Sequence, residues 1–508
     1  MQETKSISAD DSVLSARGPL GYWLENIRTQ GTHPDKTVIG YVAAWAAWAA
    51  ILWLIDFGRA IPSYPAQATL AVVVWASIMW VSEAMPVGVT GLMIPMLLVV
   101  TKAIPKIPQA FGGFVLDVTF LTLGAFLFAA ILSAARLDTR IALTILSKMK
   151  ATRAKQIIIG LFATNMALGL VVPAANARST TVLPIVNGVI GLFGNTPAEQ
   201  NAKKAIVISC IVYATMVGGI LFLTAHLPNV LMVGLFDKQL GVRISWIQWL
   251  WLHLPIIGLY PIMYWIVSAV FRCSAVEVPG GLERITKEND ELGPTKPHEW
   301  VILGIFGFAA LMWALEDFHK IKTGMVALIA VGVFFIPGVF PFNWRLIQSK
   351  TIWGTWLLLG GALSLSAAMA STGLAKHLAL MLLPAVQGNG WIVVLFMMMA
   401  ATQFIRLGML SNIAAVALLA PILMEMAPLL GMNTVAFTLL VANVDTFAFI
   451  IPTQVVAGVV AYSTGAFSMS DYMKVGIPTM VAAILWSVLV MAPWYALNGL
   501  PVWEPLVK

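Results

Sequence analysis

Two polar segments interrupt long apolar stretches of this sequence, and they contain the side chains best suited to bind a charged ligand. The first runs from Ala175 to Thr181 and the second begins at Ser411. Backbone that leaves the helix inside a bilayer must be satisfied by protein, water or a bound ligand. Half-helix N-termini attract anions, whereas carbonyl and hydroxyl oxygens bind cations. The polar side chains of both segments are therefore candidate ligand contacts, with helix capping as the alternative: Asn176, Ser179, Thr180, Ser411 and Asn412.

Arginine accompanies both polar segments. A guanidinium at membrane depth costs at least about 2.5 to 3.5 kcal/mol on insertion scales, so it usually faces a cavity or a partner. It can also bind a carboxylate through two hydrogen bonds. Arg178 is therefore a predicted substrate contact, with a structural ion pair as the alternative. For Arg406, near the start of the second segment, a functional role and extension to the membrane surface both stay open.

Two other apolar stretches contain a proline next to polar residues. His226 and Asn229 flank Pro228, and Thr453 follows Pro452. Proline removes a backbone donor and frees an upstream carbonyl, which suits a ligand contact inside a membrane. His226, Asn229 and Thr453 are candidate substrate contacts, with helix capping as the alternative for His226 and Asn229. Asp445 is predicted to be either a proton or ion site or the partner of an arginine.

Composition defines the setting of these residues. Of the 508 residues, 59% are hydrophobic and 10% are charged, whereas about a quarter of a soluble domain is charged. A soluble enzyme is excluded, and an all-α polytopic membrane protein is predicted, with about eleven transmembrane helices. Two longer stretches, 156–192 and 389–425, are interrupted by polar residues and are predicted to be re-entrant hairpins. The crossings are expected near 38–57, 64–83, 85–101, 118–137, 202–224, 246–270, 299–315, 323–340, 351–369, 433–451 and 476–497.

An internal repeat organises the chain. Residues 118–143 share their pattern with 354–380, and the similarity continues into the hairpins. An odd number of crossings separates the two units, so they must be inverted, which is the architecture of secondary transporters. The predicted organisation is an N-terminal tail 1–37, scaffold helices 38–117, first repeat 118–271, linker 272–298, scaffold helices 299–350, second repeat 351–500 and C-terminal tail 501–508.

The basic residues predict orientation. Loops on the side of the N-terminus contain more Lys and Arg than those on the other side, which favours a cytoplasmic N-terminus and linker and an external C-terminus. The net charge of +7 is spread over short loops, so it indicates membrane topology and no nucleic-acid partner. The expected location is a bacterial-type cell membrane.

The hairpin motifs resemble those of the divalent anion:sodium symporter family. The first tip reads Ala175-Asn176-Ala177-Arg178, the second reads Ser411-Asn412-Ile413, and the resemblance covers about residues 118 to 480. It implies that Asn176 and Asn412 contact substrate carboxylates, that Ser411 and Asn412 bind sodium, and that no other cofactor is needed. It also implies a homodimer in which the hairpins move against a scaffold, as in an elevator.

The first tip departs from the family pattern. Ala175 and Ala177 lack the usual hydroxyls, and Arg178 is similar to the arginine of the exchanger branch, where a fixed cation could replace sodium. The predicted function is sodium-coupled symport of small organic di- or tricarboxylates. The alternatives are a sodium-independent dicarboxylate antiporter and a sulfate or sulfonate transporter of the same fold.

Two other classes of membrane protein were compared with this prediction. The sequence has no His-Glu-x-x-His and no Gly-x-Ser-x-Gly motif, and an inverted repeat has no clear use in a hydrolase. The protein is therefore predicted not to be an enzyme. A channel would have a similar hydropathy profile, and saturable counterflow of labelled succinate would distinguish a carrier from it.

Overall fold

The computed structural model describes residues 34–58, 60–61, 63–148, 152–172, 174–278, 283–339, 341–409 and 411–503. Within these ranges the chain is helical and forms no β-strand, apart from one isolated bridge between Arg153 and Glu277. Most of the predicted N-terminal tail, part of the linker and most of the C-terminal tail lie outside the described residues.

The first half of the chain covers the predicted first scaffold helices and the predicted first repeat. The repeat begins with one crossing, continues through a helical hairpin and ends with an interrupted and an uninterrupted crossing. The helices are α1 (Pro34–Trp53), α2 (Tyr64–Ser82), α3 (Val87–Val100), α4 (Asp117–Ala134), α5 (Leu137–Lys148), α6 (Ala154–Val171), α7 (Ala175–Ile190), α8 (Pro197–Leu221), α9 (Leu227–Leu235) and α10 (Trp246–Phe271).

The second half begins with the linker helix and two scaffold helices, and then repeats the same order. The helices are α11 (Glu283–Glu291), α12 (Pro297–Ala314), α13 (Thr323–Phe334), α14 (Trp344–Lys350), α15 (Trp353–Ser371), α16 (Leu374–Val386), α17 (Trp391–Ile405), α18 (Asn412–Leu429), α19 (Thr434–Asp445), α20 (Val456–Tyr462) and α21 (Met469–Leu497).

Length and composition identify candidate membrane spans. Nine helices in the described ranges are long and apolar enough to cross a bilayer, and six further apolar helices are shorter. Two of the nine, Trp391–Gly408 and Asn412–Leu429, are the arms of the predicted second hairpin, and each predicted crossing corresponds to one of the other helices. The prediction of an all-α polytopic membrane fold is confirmed.

Both predicted hairpins are present as helix pairs. The chain leaves the helix between Val171 and Ala175 in the first, and between Gly408 and Asn412 in the second. The crossings that follow are broken: a 3-10 turn at Leu223–Ala225 separates α8 from α9, and another at Pro452–Gln454 separates α19 from α20. These breaks coincide with the prolines singled out in the sequence.

The repeats interlock in a crossed arrangement. The α7 helix of the first hairpin contacts α20 of the second repeat, and the α18 helix of the second hairpin contacts α9 of the first repeat. Each hairpin tip therefore faces the broken crossing of the other repeat as well as its own.

Two connecting helices were not predicted. The α5 and α16 helices each join the first crossing of a repeat to its hairpin. Leu143 and Leu146 are buried on α5, and Leu374 and Ala379 are buried on α16. Polar residues interrupt the apolar pattern of α5, and α16 is only 13 residues long, so a search for apolar stretches of spanning length misses both.

Close backbone contact fixes the scaffold to the second repeat. The α3 and α15 helices pack side by side, and a Cβ atom on Gly361 would overlap the carbonyl oxygen of Gly91. Small residues of this kind let membrane helices approach closely, where van der Waals packing replaces the hydrophobic effect.

Candidate functional site

Arg178 ties the first hairpin tip to the broken crossing of its own repeat. Its side chain is completely buried. Nη1 donates to the carbonyl oxygens of Val172 at 2.9 Å and Ala225 at 2.7 Å, and Nη2 donates to that of Thr215 at 3.0 Å. Among the described residues no carboxylate lies within ion-pair distance of Arg178. Within the described ranges, peptide carbonyls are the groups that solvate its charge, and Nε has no partner.

Arg406 has the same task in the second repeat. It is also completely buried, which excludes extension to the membrane surface. Nη1 donates to the Met409 carbonyl at 2.7 Å, and Nη2 donates to the Gln454 carbonyl and to Oδ1 of Asn412. Nε lies 3.3 Å from Oδ1 of Asp445, so Asp445 is the partner of an arginine.

The two guanidinium groups occupy corresponding positions. Each contacts a carbonyl just before the hairpin helix, that of Val172 or Met409, and the last carbonyl of a 3-10 turn, that of Ala225 or Gln454. The arginines reach these positions from opposite sides, since Arg178 follows its tip and Arg406 precedes its own. A sequence alignment of the repeats therefore does not pair them.

In each repeat, an amide side chain joins the first helix of the hairpin to the broken crossing of that repeat. Asn165 of α6 donates to the Cys210 carbonyl at 2.9 Å, and Gln403 of α17 donates to the Val444 carbonyl at 2.6 Å. Thr215 Oγ1 adds a hydrogen bond to Oδ1 of Asn165 at 3.1 Å. These positioning residues were missed in the sequence because single amides within apolar helices gave no pattern.

The two repeats meet at Asn412 and His226. The amide of Asn412 donates to Nε2 of His226 at 3.2 Å. His226 is buried, and its Nδ1 has no partner. The nearby Thr224 hydroxyl is also buried and unpartnered. Buried polar atoms without a protein partner are free to bind a polar ligand.

Other predicted residues have structural partners. Asn229 donates to the carbonyls of Gly219 at 2.8 Å and Phe222 at 3.0 Å, which the helix break leaves free. Ser179 Oγ donates to the Ala175 carbonyl at 2.9 Å, and Ser411 Oγ accepts from the backbone N–H of Ala414 at 3.3 Å. Asn229, Ser179 and Ser411 thus help to shape the tips and the break.

Asn176, Thr180 and Thr453 are exposed. The Thr180 hydroxyl donates to the carbonyls of Asn176 at 3.2 Å and Ala177 at 2.9 Å. In the described part of the chain, no hydrogen bond joins Asn176 to the second tip. The structure therefore brings together Arg178, His226, Asn412, Arg406 and Asp445, and leaves Asn176, Thr180 and Thr453 at the edge of this group.

A sodium ion at the second tip would need oxygen ligands. Oδ1 of Asn412 already accepts from Arg406, and so does the Gln454 carbonyl. Ser411 Oγ and other backbone carbonyls are the remaining oxygens there. At the first tip, the guanidinium of Arg178 likewise donates hydrogen bonds to the carbonyls that could otherwise bind a cation.

A cavity of about 1110 Å³ separates the scaffold from the second hairpin. It lies at the end of α18 far from the tip, where Met424 and Glu425 face Ser364 of α15 and Lys238 after α9. The predicted site residues are not part of its described lining.

A polytopic helical fold with two re-entrant hairpins facing two broken helices belongs to the secondary transporters. Residues 36–500 match the family model described as the sodium:sulfate symporter transmembrane region. The chain belongs to this family of membrane transporters, the divalent anion:sodium symporters.

Several known proteins are similar to this chain in sequence or in fold. A protein of Cupriavidus necator described as "Membrane protein" is 29% identical over 480 residues, covering 90% of this chain and 93% of that protein. The "Sodium-dependent dicarboxylate transporter SdcS" of Staphylococcus saprophyticus is 25% identical over 464 residues, covering 86% of this chain and 88% of that protein. The crystal structure of the Alcanivorax borkumensis YdaH transporter matches with a TM-score of 0.52 at 14% identity, over 86% of this chain and 99% of that one. That structural match supports the fold alone.

Proposed function

We propose that this protein is a secondary transporter of small organic dianions, with dicarboxylates as the main substrate class. The observation that carries this proposal is the completely buried Arg178, which has three carbonyl partners and no carboxylate partner in the described residues. A buried cation without a counter-ion attracts an anion. Asn412 and His226 lie at the same junction and supply an amide and an imidazole to orient carboxylates. The name of the staphylococcal relatives supports the same substrate class.

Exchange without sodium is the coupling mode that the geometry favours. A cation site at either tip would be built from the carbonyls that Arg178 and Arg406 already bind. The fixed guanidinium charges would then replace bound sodium. Without a bound anion these charges stay uncompensated, so the empty hairpins would cross the membrane less readily than loaded ones.

Sodium-coupled symport is the second candidate. It is favoured by the printed name of the staphylococcal relatives, which are called sodium-dependent. In this version Ser411, Asn412 and nearby carbonyls of the second tip would bind the ion, and Arg406 would have to release Asn412 first. Tricarboxylates, sulfate and sulfonates are further possible cargoes of the same site.

In the proposed cycle, the dianion binds between the two tips and screens the positive charge of Arg178. The two hairpins and their broken crossings then move as one body against the scaffold of a homodimer. The protein would work in a bacterial-type cell membrane, with its N-terminus in the cytoplasm and its C-terminus outside.

Uptake of labelled anions into proteoliposomes tests the proposal. The panel is succinate, citrate and sulfate, each measured with and without sodium and with and without internal unlabelled substrate. We expect succinate uptake that requires internal substrate and is unchanged by sodium. Uptake that requires sodium and no internal substrate would select symport, and uptake of sulfate alone would refute the dicarboxylate assignment.

A further inference from the structure

Asp445 is a buried carboxylate with poor support for its charge. It is the last residue of α19 and its side chain is completely buried. Oδ1 lies 3.3 Å from Nε of Arg406, but neither carboxylate oxygen accepts a hydrogen bond from the described residues. Buried ionised carboxylates normally need several such bonds. The negative end of the helix dipole further disfavours an anion at this position.

Among the described residues, Arg406 is the charged group that lies within ion-pair distance of Asp445. Arg406 comes from the 3-10 turn after α17. Two residues before Asp445, Asn443 donates to Nε2 of His253 at 2.9 Å and to the Tyr495 hydroxyl at 3.2 Å, which forms a separate network with α10 and α21. Glu425 lies on α18, far from the tip.

The other titratable or charged groups described at the junction are His226 and Arg178. They lie on the far side of Asn412, which donates to His226 and accepts from Arg406. A change in charge at Asp445 therefore reaches the anion site through Arg406 and Asn412.

The fixed charges of the site match a dianion only when Asp445 is neutral. Arg178 and Arg406 are positive and Asp445 is negative when ionised, so the buried group has a single excess positive charge. Protonation of Asp445 leaves two positive charges, which a dianion balances. Because uncompensated charge is costly inside a membrane, the balanced complex is the one that crosses.

From this geometry we propose that Asp445 binds a proton together with the dianion, and that proton and dianion are carried in the same direction. The proton comes from bulk water on the loading side and returns to bulk water when the substrate leaves. Protonation frees Arg406 from its ion pair, so its full charge becomes available next to Asn412. This inference rests on the proposed transport of dianions.

Calorimetry of fumarate binding to the detergent-solubilised transporter tests the proposal. Both carboxyls of fumarate are ionised above about pH 6, so fumarate itself exchanges no proton with the solution. Titrations at about pH 7.5 in buffers of different ionisation enthalpy give the number of protons taken up with each bound fumarate. We expect about one for the wild type and about zero for Asp445→Asn, since linkage requires proton uptake wherever binding favours the protonated form.

Glu425→Gln is the matched control, because it removes a membrane carboxylate of the same second repeat outside the site, and it should keep an uptake of about one proton. Fumarate binding without proton uptake by the wild type would overturn the inference and leave the proposed function intact. Unchanged proton uptake by Asp445→Asn would also overturn it, by assigning the proton to another group. If Asp445→Asn does not fold, the number of protons that the wild type takes up with each bound fumarate still tests the inference. Absence of fumarate binding and transport at every pH would defeat the proposed function as well.

Discussion

Replacing Arg178 with glycine should create a transporter that depends on an added cation. The variant removes a guanidinium that donates to the carbonyls of Val172, Ala225 and Thr215. Each hydrogen bond from a charged group contributes about 1.5 to 3 kcal/mol. Three such bonds therefore contribute at least about 4.5 kcal/mol, and water entering the vacated space recovers part of this. We expect a loss of about 3 kcal/mol in unfolding free energy.

Dicarboxylate exchange by Arg178→Gly should fall about ten- to a hundredfold, because a lost charge-assisted contact with the dianion costs about 1.5 to 3 kcal/mol, which corresponds to one to two factors of ten. Guanidinium ions at millimolar concentration should restore part of the activity by filling the same carbonyl positions. Sodium should restore it if these carbonyls can form a cation site. The assay is succinate counterflow in proteoliposomes.

Arg345→Ala serves as the control, because Arg345 is exposed on α14. It should keep normal counterflow and no response to guanidinium. Full activity of Arg178→Gly without any added cation would refute the reasoning. So would an inactive but well-folded variant that neither guanidinium nor sodium rescues.

Three further changes test other parts of the molecule. Asn412→Ala should weaken succinate binding about tenfold, since it removes a hydrogen bond that joins the two repeats. Glu316 has a pKa raised above 4.5, because burial outweighs the opposing effect of Arg243. Its folded form therefore binds a proton more readily than the unfolded chain, so stability should fall as pH rises above about 4.5, and Glu316→Gln should reduce this dependence in thermal unfolding. Gly361→Val should prevent close packing on Gly91 and lower the yield of folded protein in size-exclusion chromatography.

Each of these changes has a clear contrary result. Equal succinate affinity of Asn412→Ala and wild type would show that the Asn412 amide does not bind the substrate. An unchanged pH profile of Glu316→Gln would assign the dependence to another group. Wild-type yield and melting temperature of Gly361→Val would mean that α3 and α15 do not need their close contact.

The architecture could be predicted from sequence because apolar length and prolines act locally. The hairpins, the breaks after Leu221 and Asp445, and the inverted order follow from these features. The connecting helices α5 and α16 could not, since polar residues interrupt the apolar pattern of α5 and α16 is too short to be recognised as a crossing.

The candidate site could be predicted only in part. Arg178, His226 and Asn412 are polar residues at interruptions, so they stand out in the sequence. The pairing of Arg406 with Asp445 depends on how α17 packs against α19, and no local pattern encodes it. Likewise, the exposure of Asn176 and Thr180 depends on which face of α7 turns towards α20.

Cryo-electron microscopy of the transporter with saturating succinate would locate the substrate. Ligand density is expected at the junction of the two repeats, in contact with the Asn412 amide and within reach of Arg178 and His226. Density confined to one hairpin, or found only in the cavity beside Glu425, would mean that the two repeats do not form a shared anion site.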